Sequence, residues 1–122
     1  MNLQRHATLS LQVRTYARPS LLNDTKLALD IAAVMVDHMS EYFAQSYTEH
    51  MKKLGKTIVM FFFNTSTLDM VALPQYATGA MENWGLVTFR ELNMVYNDES
   101  SPERHWKIGA IVCHELAHMV CF

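Results

Sequence analysis

Apolar and polar residues alternate along the first part of the chain in a pattern that predicts one strand followed by one helix. Residues 7–16 alternate roughly one by one, which is the two-residue period of a strand with one buried face. Pro19 ends that run, and residues 25–45 then carry apolar side chains at helical spacing, beginning with Leu27 and Ile31. The pattern therefore predicts a strand that leads into an amphipathic helix.

The second half of the chain predicts further strands and a long C-terminal helix. LDMVAL at residues 68–73 and LVTFREL at residues 86–92 are apolar segments, and the second is rich in β-branched and aromatic side chains. Ser101 is a good helix N-cap and Pro102 suits the first helical position, so we expect a helix from there to the C-terminal residues. Between the first helix and LDMVAL, the apolar run at residues 58–63 predicts another buried strand.

Composition and charge describe a small globular chain and exclude several classes of function. The 122 residues are enough for one domain at most, and half of them are apolar. A net charge of −2 gives no electrostatic reason to expect a nucleic acid partner. The N-terminal residues lack the apolar core of a signal peptide, and the longest apolar run is far too short for a membrane segment. Cys113 and Cys121 are too far apart on one helix to form a disulfide, so we expect free thiols.

The C-terminal helix carries the sequence HELAH, which has the H-E-x-x-H form of a zinc site. His114 and His118 lie four residues apart, so one face of a helix presents both imidazoles to one metal ion. Glu115 lies close enough to reach a water molecule on that metal as a general base. The alternative is a core-facing helix with two unrelated histidines.

A second motif, GAMENWG at residues 79–85, precedes LVTFREL. Its glycines, Gly79 and Gly85, permit close approach of backbone to another group, and Glu82 offers one carboxylate. We interpret the segment as a loop. The alternative for the motif taken alone is a tight turn with a solvated glutamate.

The two motifs together resemble those of the aminopeptidase N family of zinc metallopeptidases, the gluzincin aminopeptidases typified by membrane alanyl aminopeptidase. The resemblance is carried by GAMENWGLVTFRE followed by HELAH, and VRTYARP and LDMVALPQYATGAMENWG extend it over most of residues 11–120. It implies an α+β fold: the N-terminal half of a thermolysin-like zinc peptidase domain, truncated, with a small mixed sheet and an active-site helix. The motif loop would lie along the cleft between them.

The resemblance also implies a division of the chain. Residues 1–18 would be the tail end of a preceding β-domain, and residues 19–122 a partial catalytic domain. The stretch 46–67 is longer than the family needs between its helix and the strand LDMVAL. We interpret it as an insertion, with retained non-coding sequence as its source; a genuine variable loop is the alternative.

The same resemblance implies a role for each motif residue. His114 and His118 match two ligands of one Zn²⁺ ion, Glu115 matches the general base, and Glu82 matches the glutamate that binds the free amino group of a peptide. The implied function is removal of N-terminal residues from peptides. The rest of the second motif would line the substrate: Gly79, Ala80, Met81 and Asn83.

The chain departs from the family pattern after the second histidine. The family's third zinc ligand, a glutamate, and its transition-state tyrosine lie further along, whereas four residues follow His118 here. We therefore expect this chain to lack the third ligand and to be inactive alone. Cys121 is a weak candidate for a substitute ligand. The alternative functions are a non-catalytic truncated or spliced fragment that binds peptides, and a zinc-dependent structural module.

The remaining aromatic and titratable residues are interpreted as structural. We expect Trp84 and Trp106 in the core, and Arg90 and Glu91 in supporting positions on the strand after the second motif. The sequence leaves the location of the protein open, since the family contains both membrane-anchored and cytosolic members, with YARPS slightly favouring the former. The other histidines are expected to be structural or at the surface: His6, His38, His50 and His105.

Overall fold

A computed structural model of the 122-residue chain describes residues 1–7, 11–47, 67–83 and 85–120. The predicted strand within the apolar run IVMFFF lies outside these residues, as does almost all of the predicted insertion. Outside them as well lie His50 and the side chain of His6, both predicted to be structural or at the surface, Trp84, predicted in the core, and the candidate ligand Cys121.

The described strands form one mixed sheet of five strands in the order β1-β2-β3-β5-β4. The two outer pairs, β1 with β2 and β4 with β5, are antiparallel, whereas β2, β3 and β5 run parallel to one another. The small mixed sheet expected from the sequence is therefore present. The strands are β1 Asn2–Ala7, β2 Gln12–Ala17, β3 Thr67–Leu73, β4 Ala80–Asn83 and β5 Leu86–Arg90.

Two α-helices, α1 Lys26–Tyr42 and α2 Pro102–Val120, pack against each other and against the sheet. Both were predicted, and α2 begins at the predicted proline. Short 3-10 helices occupy Pro19–Leu21, Asn23–Thr25 and Glu91–Asn93. In the described part of the chain, no helix combines the length and apolar composition that crossing a membrane requires.

The core lies between the helices and one face of the sheet. Alternate residues of the central strands point into it, as the two-residue period of a strand requires, and Val13, Met70 and Val87 are fully buried. The helices contribute apolar residues at helical spacing to the same cluster: Leu29, Ala32, Ala33 and Val36 from α1, and Ile108, Val112, Leu116 and Met119 from α2.

The structure corrects three of the predictions made from the pattern. The strand predicted at residues 7–16 corresponds mainly to β2, and strand β1, which pairs with β2, was not predicted; alternation alone does not reveal where one strand ends and the next begins. The predicted loop GAMENWG contains strand β4 at Ala80–Asn83, because those residues pair with β5. Trp106, predicted in the core, is 78% exposed on α2, and the buried residues of that helix begin at Ile108.

The sheet continues across the predicted domain boundary after residue 18. Strand β2, which ends at Ala17, pairs in parallel with β3, so residues before and after the boundary share one hydrogen-bonded sheet. Arg18 forms two hydrogen bonds to the Glu91 carboxylate, at 2.7 and 2.8 Å, which join the end of β2 to the segment after β5. The assignment of residues 1–18 to a preceding domain stays a prediction.

Helix α1 ends in a turn that places an alanine in the left-handed backbone region. The Gln45 N–H donates to the Ser40 carbonyl and the Ala44 N–H donates to the Glu41 carbonyl, which is the hydrogen-bond pattern of a Schellman cap. Ala44 has φ 49°, where a side chain brings Cβ close to the backbone and glycine is favoured. The turn therefore stores strain that a glycine would relieve.

We expect Ala44→Gly to stabilise the chain by about 1 kcal/mol, because the backbone conformation stays and the steric cost of the alanine is removed. The measurement is the midpoint of urea unfolding. Ala110→Gly, at an exposed position inside α2, is the matched control and should destabilise by about 1 kcal/mol. Equal destabilisation by both substitutions would contradict the prediction.

Candidate functional site

Helix α2 brings the two predicted metal ligands together. His114 and His118 lie one helical turn apart, and their Nε2 atoms are 3.1 Å from each other. The rings meet edge to face, with centroids 4.7 Å apart. His114 is exposed and His118 half-buried, so this pair is open to a solute.

The distance between the two nitrogens fits a shared zinc ion. Two nitrogens bound to one tetrahedral zinc at 2.0–2.1 Å lie about 3.3 Å apart, close to the separation of the Nε2 atoms of His114 and His118. Within the described ranges, no group of three or more histidine, cysteine or acidic side chains is arranged to hold a metal. The described residues therefore fit two positions of a zinc coordination sphere.

Glu115 is a buried carboxyl group beside the two histidines. Its residue is only 6% exposed, and its Oε2 atom is buried with no hydrogen-bond partner. Burial is the main cause that raises the pKa of Glu115; the nearby Glu82 carboxylate raises it further, while His114 and His118 lower it. A raised pKa makes this carboxylate a stronger proton acceptor than a solvated glutamate.

Strand β4 carries the second motif along the side of α2. It forms the end of the described sheet, pairs with β5 and lies against α2. Glu82 is exposed on this strand and acts electrostatically on Glu115, so the structure brings the two glutamates of the predicted site together. Around it, Met81 and Asn83 are exposed and Ala80 is half-buried.

The segment that leads into β4 is fixed by polar contacts. The Gly79 carbonyl accepts hydrogen bonds from the Arg90 backbone N–H at 3.0 Å and from Asn93 Nδ2 at 2.9 Å. The Arg90 guanidinium donates to the Tyr76 and Ala77 carbonyls, at 2.9 and 2.6 Å. Arg90 therefore has the supporting role predicted for it. Asn93 was missed, because a single asparagine after a strand belongs to no pattern that sequence reasoning uses.

The other titratable residues discussed under the sequence make no polar contact with the two histidines, Glu115 or Glu82 that any described hydrogen bond or ion pair shows. His38 and His105 are exposed, as predicted, and His105 packs edge to face against Tyr96. Cys113 is a half-buried free thiol whose pKa is raised by burial. Glu91 is buried and holds Arg18, which agrees with a structural role.

Comparison with known proteins identifies a peptidase family over most of the chain, and the relatives are named aminopeptidases. The family described as "Peptidase family M1 domain" matches residues 27–120. The chain is 35% identical to aminopeptidase A from Gloydius brevicauda over 116 residues, which are 94% of this chain and 10% of that protein. It is 36% identical to human glutamyl aminopeptidase over 104 residues, 84% of this chain and 9% of that protein.

A plant relative matches a comparable share of the chain. Aminopeptidase M1-B from Oryza sativa subsp. japonica is 40% identical over 108 residues, 88% of this chain and 10% of that protein. The chain thus spans about a tenth of the length of the curated relatives it matches.

We expect Gly79→Ala to destabilise the chain by about 1 kcal/mol, because the new methyl group would crowd Asn93 Nδ2 and disturb its bond to the Gly79 carbonyl. A Cβ at Gly79 would lie only 3.2 Å from that nitrogen. The measurement is the shift in the urea unfolding midpoint relative to the unsubstituted chain.

The control is Gly109→Ala in α2, where a Cβ would lie 3.6 Å from Ile31 Cδ1, an ordinary contact. Alanine is favoured over glycine inside a helix, so this control should stabilise the chain by about 0.5–1 kcal/mol. Shifts of the same sign in the two variants would show that the segment before β4 is not held as tightly as its hydrogen bonds indicate.

Proposed function

Because the chain belongs to peptidase family M1, we propose that it supplies part of the active site of a zinc aminopeptidase that removes N-terminal residues from peptides. The observation that carries the proposal is the 3.1 Å separation of the His114 and His118 Nε2 atoms beside the buried carboxyl of Glu115. The family relation supports a peptidase, and the arrangement of these three side chains supports a metal-dependent one.

His114 and His118 would hold the zinc ion as neutral imidazoles, each through Nε2, the atom that faces the other ring. A zinc ion held by these two histidines would supply Lewis-acid chemistry, polarising a peptide carbonyl and making a bound water molecule more acidic. The α-helix fixes the two rings one turn apart, so their positions need little rearrangement on binding.

Glu115 would move the proton of the reaction. Its buried, unpartnered Oε2 is available to accept a proton from an attacking water molecule and to deliver it to the amine that leaves. Burial raises the pKa of Glu115 and so supports a role as a proton acceptor.

Glu82 would bind the free amino group of the substrate. It is exposed on β4 beside Glu115, and a carboxylate there makes a charge-assisted hydrogen bond to an ammonium group. Reading the amino terminus at a fixed distance from the reacting carbonyl selects the first peptide bond. The flanking residues Gly79, Ala80, Met81 and Asn83 would line the peptide along β4, whose position at the end of the described sheet suits an extended ligand.

A non-catalytic peptide-binding fragment is the second candidate function. It is favoured by one observation: among the described residues only the two histidines converge on the proposed metal position. Catalytic zinc sites use three protein ligands, so two would hold the ion weakly. The exposed β4 strand would still offer Glu82 to a peptide amino terminus.

We expect the purified chain to bind Co²⁺, used as a spectroscopic substitute for zinc, and His118→Ala to weaken that binding at least about tenfold, because one of two ligands is lost. Isothermal titration and the visible absorption of bound cobalt measure the affinity. His38→Ala, which removes an exposed histidine from α1, is the matched control and should leave the affinity unchanged. Equal affinity in both variants would contradict the metal assignment.

We expect no measurable hydrolysis of an aminoacyl-anilide by the purified chain in the presence of zinc, because the described residues supply two ligands and two would hold the ion weakly. The assay is repeated with Glu115→Gln and with a chelator. Hydrolysis that disappears in both repeats would show that the chain is an active enzyme and would rule out the fragment function.

A further inference from the structure

We propose that Tyr47 is a positioning residue of this site, whose buried hydroxyl joins the last turn of α2 to the turn at Gly85 that follows the motif strand β4. The inference rests on the proposed function, because the hydroxyl would fix the position of His118 relative to Glu82, two residues of the proposed site. Tyr47 belongs to neither of the two sequence motifs and lies near the start of the predicted insertion.

Tyr47 is buried although its side chain ends in a polar group. It is 0% exposed and is the largest of the fully buried side chains among the described residues. Its hydroxyl lies 3.8 Å from the sulfur of Met119, a weak acceptor, and Met119 is the residue after His118 on α2. The Tyr47 hydroxyl therefore contacts the residue next to the second imidazole.

The Tyr47 hydroxyl also lies near Gly85, whose backbone N–H acts on it as a hydrogen-bond donor. Gly85 has φ 77°, a conformation that glycine adopts without cost, and its carbonyl accepts a hydrogen bond from the Asp69 N–H at 2.9 Å. Burial raises the pKa of Tyr47 above its ordinary range, the Asp69 charge raises it further, and the Gly85 backbone N–H lowers it. The hydroxyl is therefore protonated at neutral pH, with Gly85 and Asp69 as its neighbours.

The end of α1 holds the backbone of Tyr47 through a hydrogen bond. After the reversal at Ala44, the Tyr47 backbone N–H donates to Ser40 Oγ at 3.4 Å. The Ser40 hydroxyl in turn donates to the Val36 carbonyl at 2.7 Å. The backbone on which the phenol stands is thus held by α1, while its hydroxyl contacts α2 and the turn at Gly85.

One buried hydroxyl therefore links the two halves of the proposed site. Helix α2 carries the histidine pair, and β4 carries Glu82, but the two elements are far apart in sequence. A shared contact at Tyr47 fixes how the last turn of α2 lies against the turn that ends β4. Loss of the hydroxyl should loosen both turns together, which a residue with a purely local packing role would not do.

The test compares Tyr47→Phe with Thr15→Val. Both substitutions delete one buried hydroxyl and keep the shape of the side chain, but the Thr15 hydroxyl pairs with Thr25 at 3.0 Å, between β2 and the segment before α1. We expect Tyr47→Phe to accelerate amide hydrogen exchange about fivefold at both Gly85 and Met119, as the loss of one hydrogen bond allows. Thr15→Val should leave exchange at these two amides unchanged.

A second measurement uses Co²⁺ binding, with both variants held well below their unfolding temperatures. We expect the affinity to fall about threefold or more in Tyr47→Phe and to stay at the unsubstituted value in Thr15→Val, as for residues that orient metal ligands. A change of melting temperature alone, with no local exchange or affinity effect at Tyr47, would show a purely structural residue and overturn the proposal.

The two measurements separate this proposal from the proposed function. If the unsubstituted chain binds no Co²⁺, the metal assignment fails, and exchange at Gly85 and Met119 still decides whether Tyr47 joins the two turns. Met119→Leu keeps the side-chain volume but removes the sulfur. It therefore tests the same contact by changing the partner of the Tyr47 hydroxyl. It should accelerate exchange at Gly85 as Tyr47→Phe does, and an unchanged rate there would count against the proposed link.

Discussion

The buried apolar stripe of α2 is the constraint on which the candidate site depends. Ile108, Val112, Leu116 and Met119 recur at helical spacing and are all buried in the core. Burying side chains of this size stabilises the fold by about 1.5–3 kcal/mol each. Rotation of the helix about its axis would expose them, so this burial fixes the orientation of α2. Once that stripe faces inward, the two imidazoles lie one turn apart at the rim of the core and Glu115 lies just inside it.

The topology of the sheet supplies the other half of the site. A central block of parallel strands places β5 beside β3, and the hairpin from β4 to β5 then puts the motif strand at the end of the described sheet, next to α2. Because β4 has a neighbour on only one side among the described strands, its backbone and Glu82 remain accessible. Arg90 and Asn93 anchor the segment before β4, so an accessible strand is held in one place.

The sequence allows the elements to be predicted more easily than the contacts between them. Helical and strand periods identify α1, α2, β3 and β5, since each of these elements buries one regular face. The same periods miss strand β1 and the pairing of β4. A four-residue strand such as β4, with mostly exposed side chains, has no hydrophobic pattern. His114, Glu115 and His118 follow from helical spacing. Asn93 and Tyr47 contact residues far from them in sequence, and no local pattern reveals such contacts.

The burial of Glu115 shows how the needs of stability and of chemistry oppose each other in this chain. A buried oxygen without a hydrogen-bond partner costs about 1–3 kcal/mol, and the nearby Glu82 carboxylate adds repulsion whenever both are charged. Selection for stability alone would replace either glutamate. The free-energy cost of placing the two glutamates together must be offset elsewhere. The buried apolar residues of α2 and the hydrogen bonds to the Gly79 carbonyl provide that stabilisation. Among the described residues, the buried side-chain oxygen that lacks a hydrogen-bond partner therefore belongs to the carboxyl group with the most evident chemical use.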